Sequence, residues 1–121
     1  MTNLERAKHI HQLMDEGKLL EAFDTYYHED VVKIEGNGQT VEGKAANRET
    51  QVQWLESVEE FIHSEILAIA EDAENGKVLA EVSAEVRFKE YGTMQIEQTY
   101  VQVWENGLIK HIRFYYNAPE M

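Results

Sequence analysis

The sequence predicts an α+β fold in which helices come first and a curved antiparallel sheet follows. Apolar residues recur at helical spacing in the first half, whereas apolar and polar residues alternate with period two in the second half. The pairs Asn75-Gly76 and Asn106-Gly107 mark hairpin turns between the alternating segments. At 121 residues the chain is long enough for one core, so residues 1–121 are predicted to form a single domain.

Two helices are predicted at the N-terminus. Thr2 and Glu5 have the spacing of a capping box, and Gly17 ends the first helix. The apolar face of this helix consists of Leu4, Ala7, Ile10, Leu13 and Met14. The second, shorter helix presents Leu19, Leu20, Phe23, Tyr26 and Tyr27 on one face. The β-branched residues at 31 and 32 then change the chain into a strand that ends near Glu35.

A third helix and four strands complete the pattern. Residues 45–59 have an apolar stripe at helical spacing, with Trp54 beside it. The strands are predicted as an antiparallel meander at about 61–71, 77–90, 94–105 and 108–116. Tyr91-Gly92 supplies one connection. Asn75-Gly76 and Asn106-Gly107 are expected to form type I′ turns, because both central positions of that turn need a positive φ.

The composition excludes several classes of partner and site. The formal net charge is -12, from 23 acidic and 11 basic residues, and it opposes binding to nucleic acid and to anionic lipid. The chain has no cysteine, which excludes disulfides, thiolate nucleophiles and cysteine-based zinc sites. No apolar run is long enough for a membrane span, and the N-terminus lacks the order of a signal peptide. We therefore expect a soluble cytoplasmic protein with no nucleic acid or membrane partner.

The sequence gives no pattern for a metal, a nucleotide or a catalytic serine. His9 and His11 are two apart on a predicted helix and therefore point to different sides. The chain has no His-x-x-x-His pair, no Gly-x-Ser-x-Gly turn and no glycine-rich phosphate loop. Neither a metal nor any other cofactor is expected.

Four short motifs, taken in their order along the chain, resemble a known family. They are the break Gly17-Lys18-Leu19, the acidic corner at 27–32, the segment 41–45 that leads into helix three, and Trp104-Glu105-Asn106-Gly107-Leu108-Ile109. Together they resemble the ketosteroid-isomerase and SnoaL-like polyketide cyclase family over nearly the whole chain. The resemblance implies a strongly curved sheet that forms, with the N-terminal helices, a cone with an internal pocket. The same fold occurs in scytalone dehydratase and the nuclear transport factors.

The resemblance also implies catalytic roles for two residues. In ketosteroid isomerases of this family an aspartate at the end of the strand after the acidic corner is the general base. Glu35 occupies that position here. The oxyanion donors are a helix-one tyrosine and a protonated acid on the third meander strand, and their positions are occupied by Ile10 and Tyr100. One donor is missing, and the phenol of Tyr100 is expected to act as the other.

The third meander strand has two sets of alternating side chains. One set is Gln98, Tyr100 and Gln102, and the other is Thr99, Val101 and Val103. The resemblance implies that the first set faces the interior and that Gln98 and Gln102 bind substrate. Periodicity alone leaves open the reverse arrangement, in which the first set faces water.

Further pocket walls are implied at Trp54, Phe114 and Tyr116, which are also ordinary core residues. His63 is either a pocket acid or base that contacts substrate, or a surface histidine. Glu35 is either a pocket base or a solvated carboxylate at a strand end. As a base it is expected to lie among apolar walls, where poor solvation strengthens it.

Three functions follow from these observations. The chain is a cofactor-free isomerase, cyclase or dehydratase acting on an apolar carbonyl compound, a non-catalytic protein that binds a small apolar molecule, or a protein-interaction module. We also expect a homodimer through the outer face of the sheet, because helices cover only the inner face. The residues expected in that interface are Thr99, Val101, Val103, His111, Arg113 and Tyr115.

Overall fold

The computed structural model describes residues 1–116, which form three α-helices and six strands. The helices are α1 (Asn3–Asp15), α2 (Leu19–Tyr26) and α3 (Lys44–Ser57). The strands are β1 (Tyr27–Ile34), β2 (Thr40–Glu42), β3 (Val58–Asp72), β4 (Lys77–Phe88), β5 (Gly92–Glu105) and β6 (Leu108–Tyr115). A 3-10 helix, Ala73–Asn75, connects β3 to β4. None of the helices described is long and apolar enough to cross a membrane.

All six strands form one sheet in the order β2-β1-β6-β5-β4-β3. The antiparallel meander from β3 to β6 is confirmed. The first strand, β1, pairs in parallel with β6, and Lys33 lies opposite Ile112 in that register. The sheet is therefore mixed and not wholly antiparallel, and the α+β fold class is confirmed. The pairing with β6 places β1 second from one edge of the sheet, between β2 and β6.

Register shifts bend the sheet. In β3 they lie between Val58 and Glu60, between Phe61 and His63, and between Ile66 and Ala68. A further shift lies between Val103 of β5 and Trp104. Such bulges kink a strand and increase its twist. They account for the curvature by which the sheet wraps around α1 and α2.

The core lies between the inner face of the sheet and the first two helices. Tyr100 is 4% exposed and Gln102 is 3% exposed, so the set that includes them faces the interior. The remaining core residues of the sheet and helices include Ala7, Ile10, Leu13, Ala22, Tyr26, Val31, Val78, Ala80, Trp104, Ile109 and Ile112. Thr99, Val101 and Val103 pair across to Tyr115, Arg113 and His111 on the outer face.

One of the two type I′ turn predictions is confirmed. Asn106 has φ 52° and Gly107 has φ 77°, as both central residues of that turn require. The prediction for Asn75-Gly76 is wrong, because the 3-10 helix ends at Asn75 and only Gly76 has a positive φ, of 67°. The 3-10 helix makes this connection longer than a two-residue hairpin loop.

A buried amide holds α3 against the sheet. Leu55, expected on the apolar stripe of this helix, is 36% exposed, whereas Asn47 is 1% exposed. The Asn47 Nδ2 group donates hydrogen bonds to the carbonyls of Val31, Val41 and Gly43 at 3.3, 3.0 and 2.8 Å. One side chain thus connects β1, β2 and the first turn of α3.

Candidate functional site

Glu35 lies one residue beyond β1 and contacts two polar side chains. Its Oε1 is 3.0 Å from Lys33 Nζ. Its Oε2 accepts a hydrogen bond of 2.8 Å from the Tyr116 hydroxyl. The Glu35 side chain is 26% exposed, so a small molecule can reach it. The expectation of purely apolar walls around Glu35 is wrong, because an ammonium group and a phenol lie against the carboxylate.

Lys33 is a candidate site residue that sequence reasoning missed. It is 7% exposed, and its Nζ donates to Thr50 Oγ1 at 2.9 Å. Thr50 Oγ1 donates in turn to the Asn47 carbonyl at 2.7 Å, so the hydroxyl must accept from the ammonium. The alternation along the strand could have indicated that Lys33 faces the interior. Val31, Lys33 and Glu35 lie on the same side of the strand, and the Val31 side chain is fully buried.

Tyr116 lies directly over Gly36. A Cβ atom at Gly36 would be 2.8 Å from the nearest carbon of the Tyr116 ring, a distance that no side chain tolerates. Partial burial, together with the hydrogen bond to Glu35, raises the pKa of Tyr116 above its usual value. Its hydroxyl is therefore a neutral donor at pH 7, and glycine at position 36 lets the ring approach closely enough to use it.

Tyr100 is bound to a histidine of α1. Its hydroxyl lies 2.7 Å from His11 Nε2, and the two rings are stacked with centroids 5.7 Å apart. Burial raises the pKa of Tyr100 well above its usual value, and the neighbouring Tyr27 adds to the shift. Burial lowers the pKa of His11, although Asp15 opposes this shift. Both side chains are therefore neutral at pH 7.

His11 was dismissed at the sequence level because it lies two residues from His9. Its spacing from Ala7 and Ile10 nevertheless places it on the apolar face of α1. Helix one therefore does supply a polar group to the interior, one residue beyond the position where the resemblance implied a tyrosine. That group contacts Tyr100 directly.

Phe114 lies between Glu35 and Tyr100. Strand β6 is placed between β1 and β5, and Ile34, the residue before Glu35, pairs with Arg113, the residue before Phe114. Phe114 pairs with Tyr100 across β5 and β6, with ring centroids 6.3 Å apart in an edge-to-face arrangement. Strands two places apart are separated by roughly 10 Å. A small apolar ring above Phe114 would thus lie between the Glu35 side and the Tyr100 side.

Trp54 lies one turn after Thr50 on the face of α3 that packs on the sheet. Its ring makes edge-to-face contacts with Phe61 and Phe88, at centroid distances of 6.5 and 6.2 Å.

Gln102 is buried in the core, and its Oε1 accepts a hydrogen bond of 3.1 Å from the Trp104 indole. The side-chain oxygen of Gln102, which was expected to bind substrate, is therefore hydrogen-bonded within the core.

Gln98 is half-buried on the inner face and pairs with Val82 of β4. Tyr100 follows it on the same side of β5 and lies deeper in the core. Among Gln98, Tyr100 and Gln102, which share the inner face of β5, Gln98 is therefore the accessible one.

His63 is not part of this site, and its prediction as a pocket residue is corrected. The register shift after Phe61 places His63 opposite Glu85, on the outer face of β3 and β4. Its side chain is 66% exposed and lies 3.6 Å from Glu65. It lines a shallow depression of about 230 Å³ beside Asp15. A second depression, of about 200 Å³, lies by Leu67 and Tyr115, and neither contains Glu35 or Tyr100.

Residues 1–116 contain no cluster of three or more histidine, aspartate or glutamate side chains placed to hold a metal ion. The polar groups that contact Glu35 are the Lys33 ammonium at one oxygen and the neutral Tyr116 hydroxyl at the other. The chemistry of the site is therefore that of a carboxylate, an ammonium group and neutral phenols.

The comparisons with known proteins agree with this fold. The SnoaL-like domain family matches residues 1–116. This chain belongs to the SnoaL-like family. The resemblance inferred from the sequence is thereby confirmed. No curated protein matches this SnoaL-like chain.

Solved structures show the same fold. A candidate polyketide cyclase from Pseudomonas putida KT2440 superposes with a TM-score of 0.80 at 20% identity, covering 97% of this chain and 92% of that one. A candidate isomerase from Bacillus subtilis gives 0.76 at 20% identity, with coverage of 97% and 90%. An NTF2-like protein of unknown function from Burkholderia pseudomallei K96243 gives 0.80 at 12% identity, with coverage of 95% and 90%. These similarities establish the fold of this SnoaL-like domain.

The lowered pKa of His11 predicts how stability depends on pH. The folded protein holds a proton on His11 less readily than the unfolded chain, so acid favours unfolding. The His11 contribution is present above about pH 6.5 and is lost as the pH falls toward and through its lower folded-state value. In a His11→Gln variant the free energy of unfolding should vary less between pH 7.5 and 5 than in the wild type. Denaturant titration at several pH values measures this.

An NMR titration of the His11 ring is the independent check. We expect a midpoint below 6.5, the usual histidine value. A midpoint above 6.5, or an unchanged pH dependence in His11→Gln, would contradict the buried contact with Tyr100.

Proposed function

We propose that this chain acts in the cytoplasm as a cofactor-free enzyme of the isomerase, cyclase or dehydratase type. It binds a small apolar carbonyl compound on the inner face of the sheet, and Glu35 removes a proton from the carbon beside the carbonyl group. The observation that carries this proposal is the accessible Glu35 carboxylate, held at one oxygen by Lys33 and at the other by Tyr116.

The fixed position of Glu35 supports a role in proton transfer. Two contacts, at 3.0 and 2.8 Å, restrict the carboxylate to one orientation. A carboxylate has roughly four acceptor sites, so these two contacts leave lone pairs free to accept a proton. Positioning of a reactive group in this way is a large part of enzymatic rate enhancement.

The surroundings of Glu35 support an apolar substrate. Phe114 follows Arg113, which pairs with Ile34 next to Glu35, and Trp54 lies one turn after Thr50, which contacts Lys33. These aromatic rings offer a surface for an apolar body, whereas the polar groups are confined to one end. The fold is shared with a candidate polyketide cyclase and a candidate isomerase, which are consistent with chemistry at a carbonyl compound.

The Glu35→Gln variant tests the base. Because the reaction begins with removal of an α-hydrogen, it can be followed without knowledge of the product. The probe is 2-tetralone, an apolar ketone with acidic α-hydrogens, whose exchange with D2O is measured by proton NMR. We expect the wild type to accelerate exchange and Glu35→Gln to reduce that acceleration by about 10²-fold or more.

The matched control is Glu42→Gln, which makes the same charge change at an exposed position of β2. It should exchange 2-tetralone at the wild-type rate. Equal exchange in Glu35→Gln and Glu42→Gln would contradict the proposed base and favour a non-catalytic binding role for the same site.

We also propose that a second copy of the chain is a partner. Across the outer face, Val101 lies between Leu79 of β4 and Arg113 of β6, and Arg113 pairs onward to Ile34 of β1. Leu79 is 39% exposed and Tyr115 is 49% exposed. An apolar stripe of this extent is typically covered in a protein–protein interface.

Charge on the two sides of this stripe supports a symmetric pairing. Glu81 and Glu97 lie on one side of Val101, whereas Lys77 and His111 lie on the other. A two-fold axis near Val101 places the acidic side of each copy against the basic side of its partner. The Arg113 guanidinium, 4.9 Å from the centre of the Tyr115 ring, lies within the same surface.

Val101→Glu should dissociate this dimer, because it buries a charge without a partner at the centre of the stripe. Light scattering should give twice 14.1 kDa for the wild type and 14.1 kDa for the variant. Thr93→Glu, at the exposed start of β5, is the control and should remain dimeric. A wild-type mass of 14.1 kDa across micromolar concentrations would remove the dimer.

A further inference from the structure

The Lys33 ammonium has a donor to spare next to the proposed base. An ammonium group carries three N–H donors. Among residues 1–116, its hydrogen bonds go to Thr50 Oγ1 at 2.9 Å and to Glu35 Oε1 at 3.0 Å. The third N–H is therefore available to an oxygen atom bound beside Glu35. The Thr50 contact is a second point at which the ammonium is held, besides Glu35.

Burial makes the charge of Lys33 effective. The side chain is only 9% exposed, and a charge in such surroundings acts on its neighbours far more strongly than in water. A donor that is fixed before the reaction begins also costs no reorganisation when negative charge develops. These are the properties that an oxyanion stabiliser requires.

Tyr100 is less suited to that role than the resemblance implied. Its hydroxyl carries one hydrogen, and its oxygen is 2.7 Å from His11 Nε2. When Tyr100 donates to His11, no hydrogen remains for a substrate. Tyr100 also belongs to β5, on the far side of Phe114 from Glu35, whereas Lys33 and Glu35 belong to the same strand segment.

We infer that Lys33 is a catalytic residue that stabilises the developing oxyanion, so that the site selects carbonyl compounds able to place their oxygen on Lys33 and their α-carbon on Glu35. This inference rests on the proposed role of Glu35 as the base. The Glu35 carboxylate takes the α-hydrogen as a proton, and the C–H bonding pair forms the new C=C bond. The carbonyl π pair moves to oxygen, which accepts a hydrogen bond from Lys33. Return of a proton from Glu35 to the α-carbon restores the C=O bond and completes the hydrogen exchange that the test measures.

The arrangement keeps the buried cation paired throughout the step. Before proton transfer the anion beside Lys33 is the Glu35 carboxylate, and afterwards it is the enolate oxygen. The carbonyl oxygen and the α-carbon are both bonded to the carbonyl carbon. A single substrate can therefore reach Lys33 and Glu35 together, because Lys33 Nζ and Glu35 Oε1 are 3.0 Å apart. A buried ammonium left without an anion would be strongly destabilising, so the substrate oxygen replaces the charge that Glu35 loses.

The test uses 2-naphthol, whose ionised form resembles the enolate of 2-tetralone and has its own absorption spectrum. The wild type should bind it as naphtholate, at least tenfold more tightly than Lys33→Met does. Exchange of 2-tetralone hydrogens should fall by about 10²-fold in Lys33→Met, as expected for loss of an oxyanion donor. Lys33→Gln, which keeps hydrogen-bonding ability without charge, should also fail to bind naphtholate. Lys8→Met, at an exposed position of α1, should behave as the wild type.

The outcomes separate the two proposals. Wild-type exchange in Lys33→Met, with exchange lost in Glu35→Gln, would overturn the role of Lys33 and leave the base in place. Unchanged exchange in Glu35→Gln would overturn the base instead. In either case, binding of naphtholate that is the same in the wild type, Lys33→Met and Lys33→Gln would contradict an oxyanion site at Lys33.

Discussion

The parallel pairing of β1 with β6 is the constraint on which the site depends. It places Lys33 opposite Ile112 and brings Glu35 beside the inner end of β6. Asn47 connects β1 to α3, since its amide bonds the carbonyls of β1, of β2 and of the residue before α3. Without this connection Thr50 would not face Lys33, and the ammonium would lose the contact that orients it.

A lysine buried in this way has an energetic cost that a structural role alone does not explain. Removing an ammonium from water costs several kcal/mol even when it is paired. A well-packed apolar side chain at position 33 would avoid that cost, because the neighbouring Val31 and Ile112 are already core residues. Lysine is almost never fully buried unless it is paired, and here the partner of Lys33 is an accessible carboxylate. The proposed chemistry gives the Lys33 charge a use that packing does not require.

Much of the fold was predictable because it follows from local patterns. Alternation along β4 and β5 predicted the meander, and Asn106-Gly107 predicted its last turn. The parallel partner of β1 was not predictable, since no local signal states which distant strand a segment joins. His63 was misplaced because a bulge shifts its side chain to the outer face, which period-two counting does not anticipate. The contacts of Lys33 and His11 were missed because each is a polar residue on an otherwise apolar face. Each also bonds a residue distant in sequence, Thr50 for Lys33 and Tyr100 for His11.

A double-mutant cycle between Lys33 and Glu35 tests the central claim most directly, because it measures whether the two side chains depend on one another. The free energy of unfolding would be measured for Lys33→Met, Glu35→Gln and the double variant at neutral pH. We predict a coupling free energy of about 1–3 kcal/mol, with Glu35→Gln alone costing more than the double change because it leaves the ammonium without an anion. Additive effects, within about 0.5 kcal/mol, would contradict the paired site.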